Sequence, residues 1–298
     1  LISMLREMTV SAIVQYIEDN LENRLLSTED LVVYSGYSRR YLQETFKEYL
    51  GIPIGKYIRV RRASRAAALL KLTKISIIEI SDRLFYDSQQ TFTREFKKIM
   101  GYTPGQYRNS SFWSFYNLLG RRGINGEYLA PKLCSLEEIA SYGKSFDYTE
   151  LILYTGVDTK NRWGKVYGYL EKCDRLTVSS KIPFNDKGSN ITARTIVWTN
   201  EEHADYDFVI DKGLYAQFSF SGTLDEYMVY MYNIYYNSLP IHKLNKRDAY
   251  DIEIITKGGN GVLHYHCFLP VYCDNVYDIE TVNKEKLHEI GMTLYHRT

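Results

Sequence analysis

The sequence predicts an all-α first half, made of two helix-turn-helix units joined by a long helix, followed by an α+β second half. Three observations lead to this prediction. Residues 9–108 repeat apolar residues at helical spacing between short connectors. One motif occurs twice within them, at 34–51 and at 84–101. After residue 112 the pattern changes to Val, Ile, Thr and aromatic residues, which are typical of strands.

The first helix-turn-helix unit is predicted from residues that typically begin and end helices. The stretch TVSAIVQYIEDNLENR has apolar residues at helical spacing, and STEDLVVYSGYS opens with a capping serine, Ser27. Its helix should stop at Gly36, and the next helix should begin near Ser38.

The second unit follows a long helix. KYIRVRRASRAAALLKL is built from Ala, Leu, Arg and Lys, which all favour helix. SIIEISDRLFYD predicts a short helix, and DSQQTFTREFKK the helix after it, which should end at Gly101 and Pro104. In the second half, ARTIVWT, LYAQFSFSG and VLHYHCFLPVYC predict strands, with helices near 162–172 and 224–236.

The composition is that of a globular protein, with 298 residues, 45% of them hydrophobic and 24% charged. No apolar run is long enough to span a bilayer, and the start carries no signal-peptide pattern. The four cysteines do not resemble a disulfide framework. We therefore expect a cytoplasmic protein without a membrane partner.

The charge is unevenly distributed. Residues 1–110 contain 17 Lys and Arg against 12 Asp and Glu, a net charge of +5. Residues 111–298 contain 20 against 24, a net charge of −4. This asymmetry suggests a polyanionic partner for the first half only.

The repeated motif indicates where such a partner binds. Its copies match at Ser38 and Ser88, at a Phe-Lys pair, and at Gly51 and Gly101. The second helix of a helix-turn-helix unit lies in the DNA major groove. The long helix, of about 20 residues, is about 30 Å long, close to the spacing of successive major-groove faces, about 34 Å. One chain could therefore place both helices in successive major-groove faces on one side of double-stranded DNA, without needing a dimer.

The second such helix begins within residues 87–98. Phe92 and Phe96, four apart, should face inward. The polar residues left outward are Gln89, Gln90, Thr93 and Arg94. Gln amides read adenine, Arg reads guanine, and Thr methyls contact thymine methyls. The alternative for these residues taken alone is an ordinary solvated helix face.

GYSRRYLQETFKEYLGIPIGKYIRVRRASRAAALL and DSQQTFTREFKKIMGYTPGQYR resemble the DNA-binding domain of the AraC/XylS transcription regulators. They are most similar to the branch containing MarA, SoxS and Rob, over about residues 9–110. The resemblance implies a monomer that contacts promoter DNA and RNA polymerase and activates transcription. It places base contacts at Arg40, Gln43 and Glu44 in the first recognition helix, and at the four residues named above in the second.

Three positions depart from the family. The branch usually has Trp at Arg40 and Arg at Glu44, so we expect a different first half-site, since a carboxylate accepts from cytosine N4. Most of the family has Gly at Phe85, and a Phe held at positive φ there would be strained. The candidates for phosphate contact, each with a solvated charge as the alternative, are Arg39, Arg59, Arg61, Arg62, Lys97 and Lys98.

GLYAQFSFSGTLDEYMVYMYNIYYNSLP (213–240) and VLHYHCFLPV (262–271) resemble the GyrI-like effector domain that follows the DNA-binding domain in Rob. The resemblance implies two βαββ repeats around a cleft that binds small amphipathic or cationic aromatic compounds. Many relatives carry a Glu where this chain has His266. An imidazole suits an anionic or neutral amphiphile better and could make binding pH-dependent. A hydrogen-bonded core histidine is the alternative.

Further pocket candidates are aromatic residues that could equally belong to the core: Trp163, Trp198 and Tyr215. His264, His266, Cys267 and Cys273 lack the tight Cys pairs of closed zinc sites, so we expect no metal. We recognise no catalytic or cofactor motif and expect no enzyme activity.

The predicted domains are 1–112, a linker at 113–125, and 126–298. The leading hypothesis is a DNA-binding regulator whose second domain senses a small molecule. One alternative makes that domain a ligand-free protein-interaction module controlled by abundance or sequestration. Another makes it a small hydrolase, which the missing nucleophile–base motif disfavours.

Overall fold

The computed structural model describes residues 2–121, 129–153, 156–157, 160–182, 190–273 and 280–282. The first half is helical, as predicted. Its helices are α1 (Ile2–Asn20), α2 (Thr28–Ser35), α3 (Arg39–Leu50), α4 (Ile54–Leu72), α5 (Ile77–Arg83), α6 (Gln89–Met100) and α7 (Pro104–Asn109). The central helix α4 has 19 residues and is therefore about 28 Å long.

The sequence repeat corresponds to a structural repeat. The side chain of Ser38 caps α3 by accepting from the backbone N–H of Tyr41, and Ser88 caps α6 in the same way. Gly51 and Gly101 end these helices in the left-handed conformation, at φ 69° and 82°. Both helices have 12 residues. The two predicted helix-turn-helix units are confirmed in their helices and caps.

The turns of the two units differ. Three residues, 36–38, separate α2 from α3, and Gly36 takes the left-handed conformation at φ 70°. Five residues, 84–88, separate α5 from α6, and there Phe85 has φ 57°. Phe85 therefore does take positive φ, the condition under which a different shape was expected for this turn, and the turn is two residues longer than that of the first unit. The backbone carbonyl of Phe85 accepts from Nη2 of Arg62 at 2.9 Å.

Two apolar cores fill the helical half. The first contains Ile17, Leu31 and Phe46 from α1, α2 and α3, with the start of α4. The second contains the end of α4, α5, α6 and α7, including Phe92 and Phe96. The first core therefore supports α3, and the second supports α6.

The second half is rich in strands. They are β1 (Phe112–Trp113), β2 (Lys132–Leu136), β3 (Ile139–Leu153), β4 (Gly156–Val157), β5 (Arg175–Lys181), β6 (Asn190–Trp198), β7 (Tyr206–Ile210), β8 (Gly213–Gly222), β9 (Asn245–Arg247), β10 (Ile252–Lys257), β11 (Leu263–Tyr272) and β12 (Glu280–Val282). The helices are α8 (Lys160–Leu170), α9 (Leu224–Asn233), continued by a π-helical turn (Ile234–Ser238), and α10 (Leu239–Ile241); a 3₁₀ turn spans Glu201–His203.

The main sheet has the order β12-β2-β8-β11-β10-β5-β6-β3-β4. The chain runs from β3 through α8 to β5 and β6, and later from β8 through α9 to β10 and β11. The two segments meet where β10 pairs antiparallel with β5. Both α8 and α9 pack on one face of the sheet, where Trp163, Val166 and Tyr227 share a core cluster with Tyr265 of β11.

Residues 111–121, which we call the strap, join the halves. Within the strap, β1 pairs antiparallel with β9, with Trp113 opposite Lys246. The remainder of the predicted linker, 122–125, lies outside the described residues. Among the described helices, none is long and apolar enough to cross a membrane.

Candidate nucleic-acid interface and effector site

The outer face of α6 carries the predicted polar set. Phe92 and Phe96 are fully buried, which fixes the rotation of the helix. Gln89, Gln90 and Arg94 are exposed, and Thr93 is half-buried. The structure therefore brings these four side chains together at the start of a well-capped helix, the end that enters the major groove in this class of motif.

The outer face of α3 is similar in position but differs in charge. Arg40, Gln43 and Glu44 are exposed, while Leu42 and Phe46 are buried. Nε of Arg40 donates to Oε1 of Glu44 at 2.9 Å, an i,i+4 ion pair. Two of the three base-contact candidates on this helix thus neutralise one another in the absence of DNA.

The phosphate candidates divide by exposure. Arg39, Arg59, Lys97 and Lys98 are exposed, as phosphate contact requires. Nη1 of Arg39 donates to Oε1 of Glu29 at 2.6 Å. Arg62 is half-buried and lies over the ring of Tyr86, 4.2 Å from its centroid.

Arg61 corrects the sequence prediction. Its side chain is 2% exposed, and Nη2 donates to Oε2 of Glu18 at 2.6 Å. Nη1 donates to the backbone carbonyl of Leu119 in the strap. A guanidinium buried in this way cannot reach a phosphate, so Arg61 is not part of the interface. The basic run RVRRASR gave no sign of which arginine faces inward.

His266 lies on the face of the sheet opposite α8 and α9. It alternates along β11 with Tyr265, which packs under the helices, so the two side chains point to opposite faces. Its Nδ1 hydrogen-bonds the hydroxyl of Ser219 at 2.8 Å, and Nδ1 of His264 hydrogen-bonds Ser221 at 2.7 Å. Burial lowers the pKa of His266, and the charges of His264 and Arg175 lower it further.

Strand register extends this polar face across the sheet. Arg175, Thr256, His264 and Ser221 are successive partners on β5, β10, β11 and β8. We call these four residues the polar row. One step further along the strands, His266 lies beside Ile254, which belongs to a buried cluster with Phe268 and Trp198. The face therefore changes from polar to apolar along the strands.

The predicted aromatic walls do not lie together. Trp198 and Tyr215 belong to the buried cluster on the same face as His266. Trp163 lies under α8 on the other face, in edge-to-face contact with Tyr227 and Tyr265 at 5.4 and 5.9 Å. Trp163 therefore cannot share a pocket with His266, and its assignment to that pocket was wrong. Its indole belongs to the core instead.

A buried charge cluster was not predicted from the sequence. Nη2 of Arg162 on α8 donates to Oε1 of Glu253 on β10 at 2.6 Å. The hydroxyl of Tyr227 on α9 donates to Oε2 of the same carboxylate at 2.7 Å. These two hydrogen bonds to Glu253 fix α8 and α9 against the sheet. Glu253 within the apolar run DIEIITK was the signal that could have indicated it.

Among the described residues, no group of three or more His, Cys, Asp or Glu side chains is arranged to hold a metal ion. His264 and His266 share a strand face, but each ring has its Nδ1 engaged by a serine. The arrangement can offer hydrogen bonds and a neighbouring guanidinium to a ligand.

Comparison with known proteins finds two different domains, one in the helical part and one in the strand-rich part of the chain. A family model described as a helix-turn-helix domain matches residues 31–110, and one described as a GyrI-like small molecule binding domain matches residues 131–264. Two helix-turn-helix units followed by such a domain define a class of DNA-binding transcription regulators. The chain belongs to the AraC/XylS family, with the Rob-like arrangement of domains. Members of this family are transcription regulators and not enzymes.

The relatives extend over most of the chain. The F1 operon positive regulatory protein of Yersinia pestis is 57% identical over 286 residues, covering 96% of this chain and 94% of that protein. The transcriptional regulator Rob of Salmonella typhimurium is 29% identical over 276 residues, covering 85% and 93%. The transcriptional activator AarP of Providencia stuartii is 43% identical over 101 residues, covering 34% and 74%.

Proposed function

We propose that this regulator binds DNA as a monomer and reads two half-sites, one with α3 and one with α6. The matched construction of the two helices carries the proposal, since each is capped by a serine, ended by a left-handed glycine and polar on its outer face. The intervening α4 is about 28 Å long, near the spacing of about 34 Å between successive major-groove faces.

The proposed contacts are the predicted side chains that the structure leaves exposed or half-buried. The base contacts are Arg40, Gln43, Glu44, Gln89, Gln90, Thr93 and Arg94. The phosphate contacts are Arg39, Arg59, Arg62, Lys97 and Lys98. On α3, the Glu44 carboxylate would accept from cytosine N4 while Arg40 stays beside it.

Selection from a random duplex pool tests this proposal. The full chain is expected to enrich two motifs about one helical turn apart. Glu44→Ala should lose a cytosine preference in the first motif and keep the second. Recovery of the same first motif by both proteins would contradict the role of Glu44, and the absence of any enriched motif would contradict the proposal itself.

We further propose that the protein activates transcription in the cytoplasm through contact with RNA polymerase. Two relatives are named as a positive regulatory protein and a transcriptional activator, which supports activation. Transcription with purified polymerase from a promoter carrying the selected site tests it. Output that does not rise with added protein would contradict activation.

We infer that the second domain binds a small amphipathic effector in a cleft between its two βαββ segments, on the face that carries His266. The gradient from the polar row to the apolar cluster supports an amphiphile. A lowered pKa keeps His266 neutral at neutral pH, which favours an anionic or neutral head group over a cation.

Thermal stabilisation of the full chain by cationic, anionic and neutral amphiphiles tests the effector site, because a ligand that binds only the folded state raises Tm. Anionic or neutral compounds are expected to raise Tm, and His266→Ala should abolish the shift. Trp163→Phe, a conservative change on the opposite face, is the control and should keep it. A shift with no class of compound would favour the ligand-free interaction module instead.

A further inference from the structure

The buried side chain of Arg61 links α4 to two other parts of the molecule, helix α1 and the strap. Its guanidinium forms two hydrogen bonds with Glu18 of α1, at 2.8 and 2.6 Å, and the hydroxyl of Tyr57 donates to the same carboxylate at 3.0 Å. The remaining Nη1 donates to the carbonyl of Leu119. The strap thus supplies the carbonyl acceptor for Nη1, the guanidinium nitrogen of Arg61 that does not bond to Glu18.

The strap enters both cores of the helical half. Leu119 packs in the first core, which supports α3, and its N–H donates to the hydroxyl of Ser64 at 2.9 Å. The adjacent Leu118 packs in the second core, which supports α6. Neighbouring residues of the strap therefore lie against the supports of the two recognition helices.

The strap continues directly into the effector domain. The N–H of Gly120 donates to the carbonyl of Tyr236 at 3.3 Å, and that of Arg121 donates to the hydroxyl of Tyr232 at 2.6 Å. The rings of Tyr232 and Tyr236 stack, with centroids 4.6 Å apart. Tyr236 lies in the π-helical turn after α9, and such turns often mark functional positions.

We propose that the strap, held by Arg61 on one side and by Tyr232 and Tyr236 on the other, sets the spacing and orientation of α3 relative to α6. Arg61 and Tyr232 are positioning residues in this account. The effector domain then controls which separation of half-sites the protein accepts. The proposal rests on the proposed reading of DNA by both helices.

The physical reason is the cost of withdrawing the strap. A buried guanidinium that loses an acceptor leaves a donor unsatisfied in a site closed to solvent on all sides by protein, since the Arg61 side chain is 2% exposed. Moving Leu118 and Leu119 would also open both cores at once. The first unit, the second unit and the effector domain therefore keep one arrangement while the strap is seated.

Gly120 gives a way to unseat it. A Cβ at this position would lie 2.5 Å from Cβ of Tyr236 and 3.3 Å from the Tyr232 hydroxyl, so Gly120→Ala must push the strap from the effector domain. Gly105→Ala in α7 is the matched control, because its Cβ would meet no atom within 4 Å. Tyr232→Phe is a milder second variant, with the exposed Tyr116→Phe as its control.

The experiment uses the full chain and the duplex that it selects from a random pool, together with versions carrying one base pair more or less between the two motifs. The unchanged protein and both controls should lose about tenfold in affinity or more on a spacer change, at least the cost of a mismatched base pair. Gly120→Ala and Tyr232→Phe should show a much smaller spacer penalty while retaining their helical circular dichroism.

An unchanged spacer penalty in both variants would overturn the role of the strap. Equal binding of all spacers by the unchanged protein is a different result, since it would show that the two helices do not read half-sites together and would overturn the proposed function as well.

Discussion

Arg94 and Lys98 lie one turn apart on α6 but are expected to act differently. Arg94 is exposed in the first half of the helix, where a guanidinium can donate to guanine O6 and N7. Arg94→Ala should cost about 1–3 kcal/mol of binding free energy and relax specificity at one base. Affinity measured on the selected duplex and on single-base variants of it checks this.

Lys98 is exposed in the last turn of α6 and is proposed to contact phosphate, a contact that carries no sequence information. Lys98→Ala should weaken binding to all duplexes alike and reduce the salt slope, the dependence of log affinity on log salt, by about one. A loss confined to some sequences would contradict the phosphate role.

His266 should make stability depend on pH. Burial, with His264 and Arg175, lowers its pKa in the folded protein, while the unfolded chain keeps a value of about 6.5. The unfolded state therefore takes up the proton first as pH falls, so stability is full above about pH 6.5 and decreases below it. Tm should fall less between neutral and mildly acidic pH in His266→Asn than in the unchanged protein.

The control for this pH effect is the exposed His242. His242→Asn should follow the unchanged protein, because it makes the same change of residue type while leaving His266 and its hydrogen bond to Ser219 in place. His266→Asn keeps a side chain that can hydrogen-bond Ser219. Any packing that the substitution loses would lower Tm by the same amount at every pH, so it would not change the pH dependence. Parallel Tm curves for all three proteins would contradict the prediction.

Single residues were predictable from sequence where a local rule decides their environment. Spacing from the buried Phe92 and Phe96 was enough to leave Gln89, Gln90 and Arg94 exposed. Arg61 was not predictable in this way, because its burial depends on Glu18 and on the distant strap. The predicted pocket position of Trp163 was wrong for a similar reason, since the sheet face on which Trp163 lies depends on how α8 packs.

The end of α3 and the start of α4 allow a direct test of backbone conformation. Gly51 and Gly55 each have open space where a Cβ would be placed, but only Gly51 has positive φ. Gly51→Ala should lower the free energy of unfolding by about 1–2 kcal/mol, the cost of a left-handed residue with a side chain. Gly55→Ala should raise it by about 0.4–1 kcal/mol, because it restricts the unfolded chain.

Denaturant unfolding of the two variants measures both effects. A stabilising Gly51→Ala would mean that α3 ends in a conformation other than the one described. The comparison matters for the proposed DNA recognition because Gly51 ends α3, the first proposed recognition helix, just before α4.

The helices were predictable as elements because caps, stops and period are local signals. The serines at 38 and 88 and the glycines at 51 and 101 recur at equal spacing, so the amino-acid sequence alone reveals the repeat. The strand–helix alternation of the second half is also evident from residue types. The register that brings Arg175, Thr256 and His264 into one row is not, since it depends on pairing between distant segments.

The whole molecule is expected to unfold in one transition in spite of its two domains. The larger core joins α4 and α6 to Phe115 and Leu118 of the strap, and to Ile234 and Leu269 of the GyrI-like domain. Exposing one domain would therefore open the core of the other. Calorimetry should give equal calorimetric and van't Hoff enthalpies for the full chain.

The opposite net charges of the two halves, +5 for 1–110 and −4 for 111–298, suggest charge attraction as a second contribution to this coupling. Charge attraction between exposed groups weakens with salt, whereas a shared apolar core does not. If the core dominates, the single transition should persist at high salt. A transition that divides only at high salt would assign the coupling to charge, and two transitions at every salt concentration would show that the strap does not unite the domains.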